Sequence, residues 1–126
     1  IKNIYPHNII ISLTISEILI ENNFNLEYAE KLVTSIENDY RLNPDYLRLA
    51  SKLYTMNNDV YKSSLFLSDY YVLLDDINMA IDVLNNSIRS NKTTNTQKKR
   101  LSSKKERIIC DNPRRLQPIF GNKDCY

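Results

Sequence analysis

A chain of 126 residues and 14.8 kDa, with 42% hydrophobic and 25% charged residues, has the size and usage of one globular domain, which excludes wholesale disorder. Its one glycine, Gly121, excludes the tight hairpins of all-β folds and the phosphate-cradling loops of nucleotide-binding folds, because both rely on positive φ. The net charge of +2 is unevenly divided: residues 1–91 carry 7 basic and 12 acidic side chains (−5), and residues 92–126 carry 10 and 3 (+7).

Helix starts recur along the chain. Asn8, Asn25, Asn43, Asp59, Asp76 and Thr93 are N-cap residue types, each followed by apolar residues at helical spacing, at intervals of 17, 18, 16, 17 and 17. Two intervals make 34 residues, the period of tetratricopeptide-type helix pairs. The rhythm predicts an all-α, TPR-like α-solenoid of about six antiparallel helices, in three helix-turn-helix repeats over residues 1–109. An irregular tail, residues 110–126, follows, with Pro113, Pro118 and Gly121 as breakers and Leu116, Ile119 and Phe120 available to pack back.

In chain order, the first predicted helix (8–22) has a wide apolar face of Ile10, Leu13, Ile15, Ile18, Leu19 and Ile20. It is interrupted by polar residues and too short to span a bilayer, so no membrane insertion is expected. The second (26–40) places Leu26, Ala29, Leu32, Val33 and Ile36 on one face, and the third (44–56) carries Tyr46, Leu47, Leu49, Ala50, Leu53 and Tyr54. The fourth (59–74) is apolar almost all round, as a helix between two neighbours should be. The fifth (77–90) carries Ile77, Ala80, Ile81, Val83, Leu84 and Ile88. The sixth (93–109) has only Leu101, Ile108 and Ile109 among many cations, which reads as a terminal cap with a solvated outer face. Predicted connections are two to four residues. In them Asn22-Asn23 and Asn57-Asn58 stand where a glycine would end a helix, since asparagine tolerates the left-handed conformation.

The chain lacks the residues of a catalytic set. Its one histidine, His7, leaves no partner for a zinc site or base-assisted nucleophile, so no enzyme activity, metal or cofactor is expected in this chain. Asp75-Asp76 read as a cap with favourable charge at a helix N-terminus. The basic tract Lys98–Arg107 has no interleaved aromatics for base stacking, so nucleic acid is not expected as a partner. A protein or peptide partner is. If the first helix of each pair lines the concave face, Tyr46, Arg48, Lys52, Tyr70, Asn78, Asp82 and Asn85 are the groove candidates. Tyr46 and Tyr70 serve equally well as packing residues, and the register that pairs the fourth helix with the fifth remains open. Cys110 and Cys125, with fourteen residues between them, are either two free thiols or a disulfide closing the tail onto the sixth helix.

The run Asn8-Ile-Ile-Ile-Ser-Leu-Thr-Ile-Ser-Glu-Ile-Leu-Ile-Glu-Asn-Asn, followed by Ala29 and Leu32, and the run Leu67-Ser-Asp-Tyr-Tyr-Val-Leu-Leu-Asp-Asp-Ile-Asn-Met-Ala-Ile-Asp-Val-Leu, leading into Gln97-Lys-Lys-Arg-Leu and Arg107, carry a resemblance. Over residues 8–108 the chain resembles the C-terminal tetratricopeptide domain of bacterial periplasmic HExxH zinc metallopeptidases, the BepA-like family. Asp75-Asp76 stand where that family has Gly-Asp, and the cysteine-bearing tail departs from it. The resemblance implies a non-catalytic module in the periplasm, with zinc only in an attached protease domain. Its implied partners are the outer-membrane assembly machinery or the cognate protease, and its implied process is outer-membrane protein quality control. A periplasmic location permits the Cys110–Cys125 disulfide. Ile1 in place of Met agrees with a segment of a longer protein. The alternative is a stand-alone structural or adaptor helical-repeat protein with no protease attached.

Overall fold

A computed structural model describes residues 9–35 and 42–112, with side chains from Ser12 onward. These residues form six helices and no strand: α1 (Ile9–Glu21), α2 (Leu26–Ser35), α3 (Pro44–Met56), α4 (Val60–Leu73), α5 (Ile77–Ile88) and α6 (Asn95–Asp111). Asn8, His7, residues 36–41 and the tail from Pro113, with Leu116, Ile119, Phe120 and Cys125, lie outside the described residues. Each helix packs on its neighbours in sequence, with lateral contacts of α1 to α3 and α4 to α6, as in a solenoid-like stack.

The punctuation is made by the side chains that the spacing singled out. Asn43 accepts from the amides of Asp45 and Tyr46, Asp59 from Lys62, and Asp76 from Met79, so each cap satisfies orphan donors of a first turn. The last helix departs by one residue. Thr94, not Thr93, is its N-cap, in a reciprocal capping box with Gln97. Thr93 is buried instead and donates its hydroxyl to the carbonyls of Ser87 and Ser90. The connection from α5 to α6 is therefore six residues long, beyond the expected two to four.

Three helix ends share one closure. The amides of Phe24, Asp59 and Asp76 reach back five residues to the carbonyls of Leu19, Tyr54 and Tyr71, and the preceding amides bond three residues back. This double bond pattern needs a left-handed residue after the helix, and Asn23 (φ 49°), Asn58 (φ 60°) and Asp75 (φ 63°) supply it. Asparagine fills the glycine position at two turns. At the third Asp75 does so.

Two apolar clusters share α4. The first joins Ile20, Ala29, Val33, Tyr46, Leu47, Leu49, Ala50, Leu53 and Tyr54, with Phe66 and Tyr70 of α4 packed against it. The second joins Ile77, Ile81, Leu84, Leu101, Ile108 and Ile109, with Tyr61, Leu65 and Val72 of α4. Those two sets account for an apolar surface nearly all round the helix. The buried residues of α4 are nevertheless Ser63, Ser64 and Ser68, small side chains that let neighbouring helices come close. Ser63 Oγ donates to the Ser51 carbonyl at 3.1 Å and meets Thr55 Oγ1 at 2.5 Å, so the α3–α4 crossing is hydrogen-bonded as well as tight. Helix α1 also corrects its expected face. Ser16 and Ile20, one turn apart, are buried, whereas Ile15 and Ile18 of the predicted stripe are 38% and 55% exposed because they point away from α2 and α3.

Candidate functional site

The structure places the seven groove candidates in different surroundings on α3, α4 and α5. Tyr46 is 1% exposed and sits edge-on to Phe66, with ring centroids 6.0 Å apart, so its side chain belongs to the core rather than to a groove. Its position on the face that α3 turns towards α4 explains this, since Phe66 also stacks on Tyr54 at 5.6 Å. Tyr70 is half-buried against the first cluster and lies edge-on to Tyr71. Asn78, Asp82 and Asn85 fall at i, i+4 and i+7 of α5, Asn78 and Asp82 being exposed and Asn85 half-buried. Arg48 and Lys52, one turn apart on α3, are exposed, and Lys52 Nζ lies 3.8 Å from Glu21 of α1.

Of these, Arg48 lines a groove. The groove runs between α1 and α3, with a volume of about 290 Å³, and is lined by Leu13, Thr14 and Glu17 on one side and Asp45, Arg48 and Leu49 on the other. Its location follows from the lateral contact of α1 with α3, which sets two odd-numbered helices side by side and leaves a furrow between them. Apolar Leu13 and Leu49 flank both charge signs. Arg48 makes no ion pair among the described residues, so its guanidinium is open to a carbonyl or carboxylate from outside.

A second groove, between α4 and α6, was not visible from the periodicity. It is lined by Leu65 of α4 and by hydroxyl and cationic side chains of α6, with a volume of about 450 Å³. The basic tract that borders it is not simply solvated. Lys98 Nζ donates to the carbonyls of Ile88 (2.6 Å) and Ser90 (2.5 Å), closing the C-terminus of α5, where a cation also meets the negative end of the helix dipole. Lys104 Nζ meets Asp69 of α4 at 2.6 Å and ties the last helix to the fourth. The acceptors of these lysines, the Ile88 carbonyl and the Asp69 carboxylate, sit 10 and 35 residues away, a pairing that helical spacing cannot reveal.

Cys110, at the end of α6, is disulfide-bonded, and Cys125, its expected partner, lies outside the described residues. No group of three His, Cys, Asp or Glu side chains is placed to hold a metal ion among the described residues, and no described helix is long and apolar enough to cross a membrane. Comparison with family models, with curated proteins and with solved structures finds no match to this chain.

Proposed function

We propose that this chain is a protein-interaction module whose stacked helix pairs hold a peptide segment of another protein in the α1–α3 groove. The observation that carries the proposal is Arg48, unpaired among the described residues, in a furrow flanked by Leu13 and Leu49. An extended peptide carries backbone carbonyls for the guanidinium and side chains for the apolar walls, so such a furrow suits it without demanding one sequence. The resemblance over residues 8–108 extends the proposal. The module is the non-catalytic tetratricopeptide domain of a periplasmic zinc metalloprotease, presenting misfolded outer-membrane proteins or engaging their assembly machinery, and zinc belongs to the attached protease.

Amide chemical shifts followed during titration with peptides from unfolded outer-membrane proteins test the groove. Shifts are expected to concentrate on Leu13, Glu17, Arg48, Leu49 and Lys52 and to vanish in Arg48→Glu. Shifts scattered over all six helices, or unchanged by that substitution, would reject the site. The reading frame upstream tests the attachment: a signal peptide and an HExxH helix are expected, and a frame encoding neither would remove the protease from the proposal. Chelator-sensitive cleavage of casein by the purified chain would overturn its non-catalytic role.

A further inference from the structure

We infer that the groove between α4 and α6 is a docking site for an acidic segment of a partner protein. This inference does not rest on the α1–α3 groove, from which it is separate in residues and in charge. Helix α6 lays Lys99, Arg100, Lys104 and Arg107 along the groove, together with the hydroxyls of Thr96 and Ser103. The positions fall in groups at 96, 99–100, 103–104 and 107, about one turn apart, so they form one stripe with a cation on each of its last three turns, spaced by about 5.4 Å along the axis. The opposite wall is Leu65 of α4.

Among the described residues the charge of this wall is compensated at Lys104 alone, which holds Asp69, and no described acidic residue lines the groove. Lys99, Arg100 and Arg107 make no ion pair among the described residues. Cations gathered in a concave, partly apolar furrow focus field and draw in negative charge more strongly than the same cations on a convex face. Residues 92–112, which include these four cations, carry 7 basic and 2 acidic side chains (+5), whereas residues 1–91 are at −5. The lining has no aromatic ring on which a base could stack and no apolar wedge to enter a lipid surface, its one apolar side chain being Leu65 on the groove wall. A peptide backbone, by contrast, finds donors in the Thr96 and Ser103 hydroxyls, and its carboxylates find guanidinium forks in Arg100 and Arg107.

The test is fluorescence anisotropy of a labelled peptide alternating Glu and Ser, titrated with the full chain, with a Lys–Ser peptide of equal length as control. The acidic peptide is expected to bind and the basic one not. Lys99→Glu combined with Arg107→Glu should weaken binding by about tenfold or more, whereas Lys31→Glu combined with Lys62→Glu, the same change in net charge at exposed residues that line neither groove, should cost less than about threefold. Asp69→Asn frees Lys104 and should tighten binding by about threefold, while Asp82→Asn on α5, again the same change in net charge, should leave it unchanged. Equal effects of the paired variants would reduce the attraction to net charge and overturn the site. So would a failure of the acidic peptide to bind, or tighter binding of phosphatidylglycerol vesicles or oligothymidylate at matched negative charge.

Discussion

Adjacent asparagines at the end of α3 should respond to the same two substitutions in opposite order. Asn57 is in ordinary backbone (φ −84°), and Asn58 is left-handed (φ 60°). Both side chains are exposed and neither makes a side-chain hydrogen bond among the described residues, so backbone conformation is the main variable. At position 58 a Cβ in the left-handed region costs about 1–2 kcal/mol, which asparagine partly evades and alanine does not. Glycine removes that cost but gives back about 0.4–1 kcal/mol through the unfolded chain. Asn58→Gly is therefore expected within about 0.5 kcal/mol of the parent, and Asn58→Ala about 1 kcal/mol below it. At position 57 the order reverses: Asn57→Ala should exceed Asn57→Gly by about 0.5–1 kcal/mol, because glycine there gains nothing and loses entropy. Urea unfolding followed by circular dichroism reads these differences directly, and melting should shift by about 4 °C per kcal/mol for a chain of this size. Alanine matching glycine at position 58, or the same order at both positions, would refute the account of how these helices end.

Three further outcomes are expected. Ser87 Oγ is buried with no hydrogen-bond partner among the described residues, so Ser87→Ala should raise the urea midpoint, by about 1 kcal/mol of stability, and a loss would mean that the hydroxyl is satisfied in solution. Ala29 is fully buried in the first cluster, so Ala29→Glu should cost about 3–5 kcal/mol and an unchanged melt would count against the α1–α2 packing. Peptide mapping without reductant should recover Cys110 linked to Cys125, with reduction costing about 3 kcal/mol for a loop of fourteen residues, and a mixed or intermolecular link would reject that pairing.

Helix existence was legible because capping is local chemistry. Asn43, Asp59 and Asp76 need only their own first turn to act, and Asn23 and Asn58 need only a helix end. The one misplaced cap, Thr93 for Thr94, was decidable from the sequence: Gln97 stands three residues after Thr94, the capping-box spacing, and nothing comparable follows Thr93. Buried serines were not legible by hydrophobicity, which ranks serine as surface. The signal was spacing. Ser51 precedes Ser63, and Ser68 precedes Ala80, by the same twelve residues, and all four are buried. The candidate site was least legible. Periodicity assigned Tyr46 to a face of α3 without saying which neighbour that face meets, and the α4–α6 groove lies between helices whose ion pair, Lys104 with Asp69, spans 35 residues.

The register left open by the sequence, α4 with α3 or α4 with α5, is a choice the packing does not force. Phe66 and Tyr70, one turn apart, enter the first cluster, and Tyr61, Leu65 and Val72 enter the second, so α4 is the wall common to both. In a stack of this kind stability resides in interfaces between neighbours rather than in closed pairs. Cutting the chain on either side of α4 would leave one of its two apolar faces in water. The same arrangement relates the two grooves. Helix α3, which forms one side of the first groove, packs on α4, and α4 carries the Leu65 wall of the second. The two grooves therefore share no helix and are separated by the α3–α4 interface, the tightly packed crossing that Ser51 and Ser63 make.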